Sequence, residues 1–355
     1  MKINETKLRS IIAREARRLV AEGKKTNPYS LRRLLEAEEK DPATELDKLD
    51  VSKGPSAAIA WLNGPGADPR VRALLNTGRK DGVPEDESAG VSETGKTIGG
   101  LQPTQIEIEL TKSIAFPLAK FDALKKMISG GVQRVGPPGN DTIVTSGDLI
   151  IDGHHRWSSL FSVAGPEGQI AALDISLPES DAASVLAIVQ TAIASTLTKG
   201  EPVPKAKAGG MNILGKGKSE LVKMITAAAE SGGGEAGAIL TDEFVQKCIG
   251  DKQVSAHFGL EGKTEVEDAR TAIIDKVADN LSQMNPPAEG APPRVDMPQL
   301  DKAEGGVQGA LDKLGAGKVN YKPPFAVVKG KEEAATQKEG FVLERWQKLA
   351  GLIKG

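Results

Sequence analysis

Two of the chain's three histidines stand side by side in a short polar run, Asp152-Gly153-His154-His155-Arg156. The residues before this run are typical of a strand and those after it of a helix. Glycine lets a ligand come close to the backbone, and the free N–H groups at a helix start favour an anion. Arg156 adds a planar guanidinium suited to phosphate oxygens. The pattern predicts a phosphate-binding loop formed by Gly153, His154, His155 and Arg156.

The same run contains the candidate catalytic residues Asp152, His154 and His155. Imidazole can carry a proton, and the Asp152 carboxylate can hold a divalent cation or orient a histidine. Joint binding of one metal by both histidines is disfavoured, because adjacent side chains diverge. A purely structural alternative stays open, in which the histidines and Arg156 cap the helix or pair with nearby carboxylates. Those carboxylates are Glu107, Glu109 and Asp148.

Other residues that could do chemistry are better explained by structure. Cys248 lies in an apolar helical pattern, which favours a small core residue over a nucleophile. His257, beside Phe258, is interpreted as a loop or core histidine. The stretch GVSETGKT, residues 90–97, lacks the first glycine of a phosphate-binding P-loop, and no apolar strand precedes it.

The elements that would position the loop form a continuous series. Gln105–Leu110 alternates apolar and acidic residues, as a half-buried strand does. The series continues with one helix over 117–131, a strand hairpin through Ser146-Gly147, a helix ending at Gly165, a strand over 169–177 and a long helix over 179–197. This order predicts an α+β fold: a small mixed sheet with helices, flanked by helical and extended segments.

Composition changes along the chain divide it into six segments. They are a charged amphipathic helical arm (1–50), short helices and a flexible linker (51–103), the α+β domain (104–198), a helical region (199–284), a Pro/Gly-rich extended segment (285–330) and a C-terminal amphipathic helix (331–355). In the helical region, Thr264 and Glu267 have the spacing of a capping box. Residues 100–200 are predicted to fold alone.

The terminal segments are candidates for binding partners. Residues up to Leu35 are mainly basic, and those from Glu36 to Asp50 are mainly acidic. Packing on the chain's own domain, docking to a protein partner and contact with nucleic acid all remain open for this arm. The amphipathic helix at 331–355 is a second candidate for protein contacts.

Composition sets limits on the function and location of the chain. The net charge of −2 over 355 residues gives no strong electrostatic preference for a partner, and the single cysteine excludes an intramolecular disulfide or a cysteine-based zinc cluster. The longest apolar runs fall short of the roughly 18 residues that a membrane span needs. The N-terminus also lacks a signal peptide's apolar centre. We therefore expect a soluble, cytoplasmic protein without membrane contacts.

The run IIDGHHRWSSL, residues 150–160, and the order of the elements around it resemble the ParB/sulfiredoxin superfamily of ParB-like nuclease domains. The resemblance covers about residues 104–198. It implies that Gly153, His154, His155 and Arg156 line the phosphates of a nucleotide and that Asp152 lies at a metal or catalytic edge. Mg²⁺ with the nucleotide is the implied cofactor.

Departures from that family narrow the implied activities. Sulfiredoxins have a cysteine in this loop where His154 stands, which argues against reduction of oxidised cysteine. The helices after Lys199 lack a convincing helix-turn-helix, which argues against a DNA clamp. The first twenty residues are similar to the basic N-terminal helices of many tailed-phage proteins, in which ParB-like domains are common.

Two functions follow as expectations. In the first, the domain binds nucleotide or nucleic-acid phosphate and hydrolyses a nucleotide, transfers a phosphoryl group or acts as a nuclease. In the second, the chain is a structural or interaction protein of a phage virion, or a homo-oligomer, and keeps the fold as a non-catalytic scaffold. The first would place the chain in the host cytoplasm and the second in the particle.

Overall fold

A computed structural model describes residues 42–76, 89–177, 179–196, 202–203, 210–231, 237–297 and 306–321. These residues form a mixed sheet with helices packed on both of its faces, which confirms the α+β prediction at that level. The six strands are β1 (Gly90–Thr97), β2 (Gln102–Pro103), β3 (Val132–Gln133), β4 (Ile143–Ser146), β5 (Leu149–Asp152) and β6 (Gln169–Ser176).

The sheet has the strand order β1-β6-β4-β5-β2, and β3 also pairs with β6. β1 with β6 and β4 with β5 are antiparallel, whereas β6 with β4, β6 with β3 and β5 with β2 are parallel. The predicted hairpin is confirmed: β4 and β5 are joined through Gly147, whose φ of +57° suits a tight turn. In this arrangement β1 and β2 form the two edges.

Successive residues of the central strands point to opposite faces of the sheet, and both faces are apolar. Ile143 and Ile170 belong to the core on one side, and Val144 and Ile175 to the core on the other. A strand that is covered on both faces is buried along its length: all four residues of β4 are buried, and β5 has three consecutive apolar residues.

Among the described residues, seven α-helices cover the first face. They are α4 (Leu110–Ala119), α5 (Phe121–Met127), α6 (His154–Ala164), α8 (Lys218–Glu230), α9 (Asp242–Gly250), α10 (Lys252–Phe258) and α11 (Val266–Ser282). Trp157 of α6 is fully buried among them, and its indole N–H donates to the Ile98 carbonyl at 2.9 Å. This bond holds α6 against the chain that leads into β2.

In the part of the chain that the structure describes, five α-helices cover the second face. They are α1 (Pro42–Leu46), α2 (Pro55–Asn63), α3 (Pro69–Leu75), α7 (Ala182–Thr196) and α12 (Gly306–Gly315). Nearly every residue of α7 is buried, because the helix lies between the sheet and the other helices of this layer. Leu46 and Leu49 are also buried here, so the last residues of the predicted N-terminal arm pack on the chain itself. Residues 1–41 and 322–355, with most of that arm and the predicted C-terminal helix, lie outside the described residues.

Several sequence predictions were wrong in detail. Gln105–Leu110 is not a strand: only Glu109 forms a bridge, with Asn212, and Leu110 begins α4. Residues 90–97 are β1 and not a linker, which also excludes a P-loop there. The helix predicted over 117–131 is two helices separated at Lys120.

Two further predictions fail in the C-terminal half of the described residues. The capping box does not form, because α11 has Glu265 at its N-cap without a side-chain bond, and Glu267 pairs with Arg270 instead. The segment predicted as extended over 285–330 contains α12. In addition, the predicted domain boundary at residue 104 separates β1 and β2 from the other strands of the sheet, because both strands lie before that residue.

Residues 283–297, which we call the strap, connect the two helical layers across the β2 edge. The Asn285 amide donates to the carbonyls of Gly99 and Leu101 at 2.8 and 3.0 Å. The Ala288 N–H donates to the Pro103 carbonyl at 2.9 Å, and the Ile106 N–H donates to the Pro292 carbonyl at 3.2 Å. The strap therefore follows residues 99–106 along its length.

Within the described residues, no helix combines the length and the apolar character needed to cross a membrane.

Candidate functional site

The predicted loop lies where β5 ends and α6 begins. Gly153 is the N-cap of α6 and has the left-handed backbone angles φ +89° and ψ +23°. A Cβ atom at this position would lie 2.7 Å from Cγ2 of Ile143 and 2.9 Å from Nε of Arg156. Glycine is therefore required here both for its backbone angles and for space. The turn places Asp152, His154, His155 and Arg156 at the junction of β5 and α6.

The guanidinium of Arg156 is already bound within the protein. Its Nη2 contacts Asp152 Oδ2 at 2.5 Å, and its Nη1 donates to the Asn140 carbonyl at 3.0 Å and to the Asn140 side chain. Arg156 thus fastens the turn over 136–141 to the end of β5. Only its Nε, which is buried, has no hydrogen-bond partner. Direct contact between the Arg156 fork and a phosphate would require these bonds to open, so this role stays a prediction.

His154 is buried and serves as an acceptor. The backbone N–H of Thr104 donates to its Nε2 at 3.1 Å, so the proton of the neutral ring is on Nδ1. The Thr104 hydroxyl in turn donates to the Ile150 carbonyl at 2.5 Å. Burial, followed by the charges of His155, Arg294 and Arg156, lowers the pKa of His154 to about 3. His154 therefore joins the chain before α4 to the start of α6 as a neutral side chain.

His155 is the histidine with an available ring atom. Its Nε2 is buried and has no hydrogen-bond partner. Burial lowers the pKa of His155 to about 4, and the charges of Arg294, Lys112 and Arg156 act in the same direction, with Glu109 opposing them. A buried nitrogen without a partner, in a field where three cations outweigh one carboxylate, is suited to meeting an anion that is not part of the protein.

Arg294 and Lys112 are site residues that the sequence analysis missed. Lys112, on α4, pairs with Glu109 at 2.9 Å. Arg294, on the strap, has a buried Nε without a partner, and its guanidinium makes no hydrogen bond or ion pair with a described residue. Gln105, next to Thr104, is 4% exposed and its Nε2 is likewise unpartnered. No local pattern marks Arg294, since the strap brings it from about 140 residues away.

The remaining candidates keep structural roles. Glu107 and Asp148 form no bond with the histidines, and Glu109 bonds to Thr111 and Lys112. Cys248 is buried, and burial raises the pKa of its thiol to about 12, as expected of an inert core thiol. His257 contacts the Val163 carbonyl through Nε2 at 2.6 Å.

The arrangement suits an anion better than a bare metal ion. In the described part of the chain, no group of three or more His, Cys, Asp or Glu side chains could hold a metal. Mg²⁺ nevertheless needs only one or two protein carboxylates when it arrives with a nucleotide, because phosphate oxygens and water complete its shell. Asp152 could supply one such carboxylate by sharing it with Arg156.

Comparisons of the chain with protein-family models, curated proteins and solved structures return no match.

Proposed function

We propose that the start of α6 binds the phosphate group of a nucleotide or of nucleic acid. The observation that carries the proposal is a set of buried nitrogens without partners: those of His155 and Arg156 at this helix start, and that of Arg294, whose charge acts on both histidines. The free N–H groups of the helix start point in the direction that an anion prefers. Burial strengthens the attraction, since the charges are poorly screened by water.

The residues of the site would share the work of binding. Gly153 keeps space beside the helix start, and the neutral His155 ring donates or accepts a proton at Nε2. Lys112, Arg156 and Arg294 supply the positive field. Asp152 would hold the Mg²⁺ that a nucleotide carries, and this ion would neutralise part of the phosphate charge. Hydrolysis, phosphoryl transfer and nuclease action remain hypotheses within this proposal. A base with a pKa near 4 needs a bound anion to raise that pKa before it can accept a proton efficiently at neutral pH.

The first test is a calorimetric binding panel on the full chain with ATP, ADP, CTP and GTP in the presence of Mg²⁺, and with inorganic pyrophosphate. We expect binding of at least one of them, and we expect His155→Leu to weaken it by about tenfold through loss of one hydrogen bond to a charged group. His257→Leu is the matched control, because that histidine contacts a backbone carbonyl elsewhere in the fold. Absence of heat and of any thermal shift at millimolar ligand would refute the proposal.

One observation favours the second candidate, a scaffold or virion component without catalysis. Asp152, His154 and Arg156 all bond within the protein, so these loop residues also hold the fold together. Under this alternative the loop variants lower the melting temperature and none of the panel binds. Recovery of the protein in stoichiometric amount from purified particles would support it.

A further inference from the structure

The guanidinium groups of Arg156 and Arg294 differ in what they already bind. Both Nη atoms of Arg156 contact Asp152 or Asn140. The guanidinium of Arg294 makes no hydrogen bond or ion pair with any described residue, and its Nε is buried. A partly buried cation without a partner is unfavourable in the folded chain unless a ligand or solvent satisfies it. Arg294 is therefore the cation at this site whose hydrogen-bonding capacity is available.

The position of Arg294 depends on the strap. The short 3₁₀ helix Arg294–Asp296 begins two residues after Pro292, whose carbonyl accepts the Ile106 N–H. Ile106 is two residues from Thr104, which binds His154. The field of Arg294 reaches both histidines and is the strongest charge effect on His155. The strap thus holds Arg294 near enough to the loop for its charge to act on His154 and His155.

We propose that Arg294 of the strap, rather than Arg156 of the loop, provides the guanidinium that binds the anion, and that the bound anion fixes the strap against residues 104–106. The inference rests on the proposed function and extends it to a residue far outside the segment that resembles a known family. Arg156 then acts as a positioning residue, which holds the 136–141 turn beside the helix start.

The test is isothermal titration of the full chain with inorganic pyrophosphate at pH 7. Arg294→Gln should weaken binding by at least about tenfold, since it removes charge-assisted hydrogen bonds. Arg156→Gln should change affinity by less than about threefold while lowering the melting temperature. Arg270→Gln is the matched control: Arg270 has a side-chain exposure of 17%, close to the 16% of Arg156, and is paired with Asp242 and Glu267. Its affinity should equal that of the unaltered chain.

A second measurement uses the unaltered chain, so its result does not depend on whether a variant folds. In the unaltered chain, pyrophosphate should slow hydrogen exchange at the amides of Ile106 and Ala288, which bond across the strap. Unchanged exchange, wild-type affinity in Arg294→Gln, or an equal loss in Arg156→Gln would each overturn the inference. If pyrophosphate binds and His155→Leu weakens it while Arg294→Gln does not, the inference fails and the proposed function stands. If pyrophosphate and the nucleotides all fail to bind, both fail.

Discussion

At the scale of single residues, the backbone of Gly153 and the burial of the histidines have consequences that can be measured without any ligand. Gly153 has a positive φ in a crowded position, whereas Gly262 has a similar φ of +79° with no atom within 4 Å of its missing Cβ. Alanine substitutions at the two glycines therefore distinguish the energetic effect of backbone strain from that of a steric clash.

We expect Gly262→Ala to lower the free energy of unfolding by about 1 kcal/mol, from backbone strain alone. Gly153→Ala should lower it by roughly 2–4 kcal/mol, because the new methyl group also collides with Ile143 and Arg156. Urea denaturation of both variants checks this. Equal losses in the two variants would show that the turn relaxes and that the space at Gly153 is not needed.

Stability should depend on pH through the histidines. All three have a pKa lowered in the folded chain, mainly by burial, to about 3 for His154 and about 4 for His155. Between these values and about 6.5 the unfolded chain binds more protons, so stability is present above the unfolded pKa and falls as pH decreases. The slope can reach ~1.4 kcal/mol per pH unit for each histidine.

The measurement is urea denaturation at pH 7.5, 6.5 and 5.5. The free energy of unfolding should decrease across this range, and the decrease should be smaller in His155→Gln, which has no titrating ring at that position. A free energy that is constant or that increases toward pH 5.5 would contradict the burial of neutral histidines.

At the scale of secondary structure elements, one arginine joins the ends of two helices in the second layer. Arg72 of α3 is 6% exposed and donates to the carbonyls of Gly66, Ala194 and Leu62 at 3.0, 3.3 and 3.4 Å. Leu62 and Ala194 lie near the C-terminal ends of α2 and α7, where carbonyls lack partners and the helix dipole favours a cation. Burial lowers the pKa of Arg72.

Arg72→Met should therefore lower the free energy of unfolding by about 2–3 kcal/mol, since buried carbonyls lose a charged donor. Arg70→Met, on the same helix, should cost less than about 0.5 kcal/mol, because Arg70 is exposed and pairs at the surface with Asp68. Thermal and urea unfolding of the two variants provide the comparison. Equal effects would mean that the Arg72 bonds contribute little.

The same scale explains which elements could be predicted from the sequence. The hairpin, α6, β6 and α7 were predicted because their signals are local: a glycine turn, an apolar run and a terminal glycine. β1 was missed because its polar residues belong to a half-exposed edge strand that only β6 specifies. Gln105–Leu110 alternates like a strand, yet its backbone bonds to 211–213 and to Pro292, more than 100 residues away.

The candidate site shows the same division between local and distant signals. Asp152 to Arg156 could be predicted because glycine, histidine and arginine stand together in the chain. Arg294 could not, since its effect on the pKa of His155 depends on the path of the strap across the fold. The occupation of the Arg156 fork by Asn140 also depends on a turn that the sequence does not place.

At the scale of the whole molecule, the helices that cover the sheet include some that precede its strands in the sequence and some that follow them. The first layer takes α8 to α11 from residues 218–282, and the second takes α1 to α3 and α12 from residues 42–75 and 306–315. Residues 104–198 alone would lack β1 and β2 and would expose apolar surface on both faces.

We therefore expect the 104–198 fragment to lack cooperative unfolding and to bind a hydrophobic dye. The 100–200 fragment, which keeps β2 but lacks β1, should behave in the same way, in contrast to the expectation from the sequence that residues 100–200 fold alone. A chain spanning 42–321 should unfold in a single transition, because both cores share the same sheet. Circular dichroism and calorimetry on these fragments check this. A sharp melting transition in the 104–198 fragment would show that this shorter segment folds independently.

The strap also has a consequence for self-association. β2 is only two residues long, contains a proline without an N–H group, and gives the Pro103 carbonyl to Ala288 of the strap. An open strand edge is a template on which a second chain can add a strand, and repeated addition leads to polymers or amyloid-like aggregates. By occupying the β2 edge, the strap removes one such template, so a chain that lost residues 283–297 would be at risk of aggregating through its sheet.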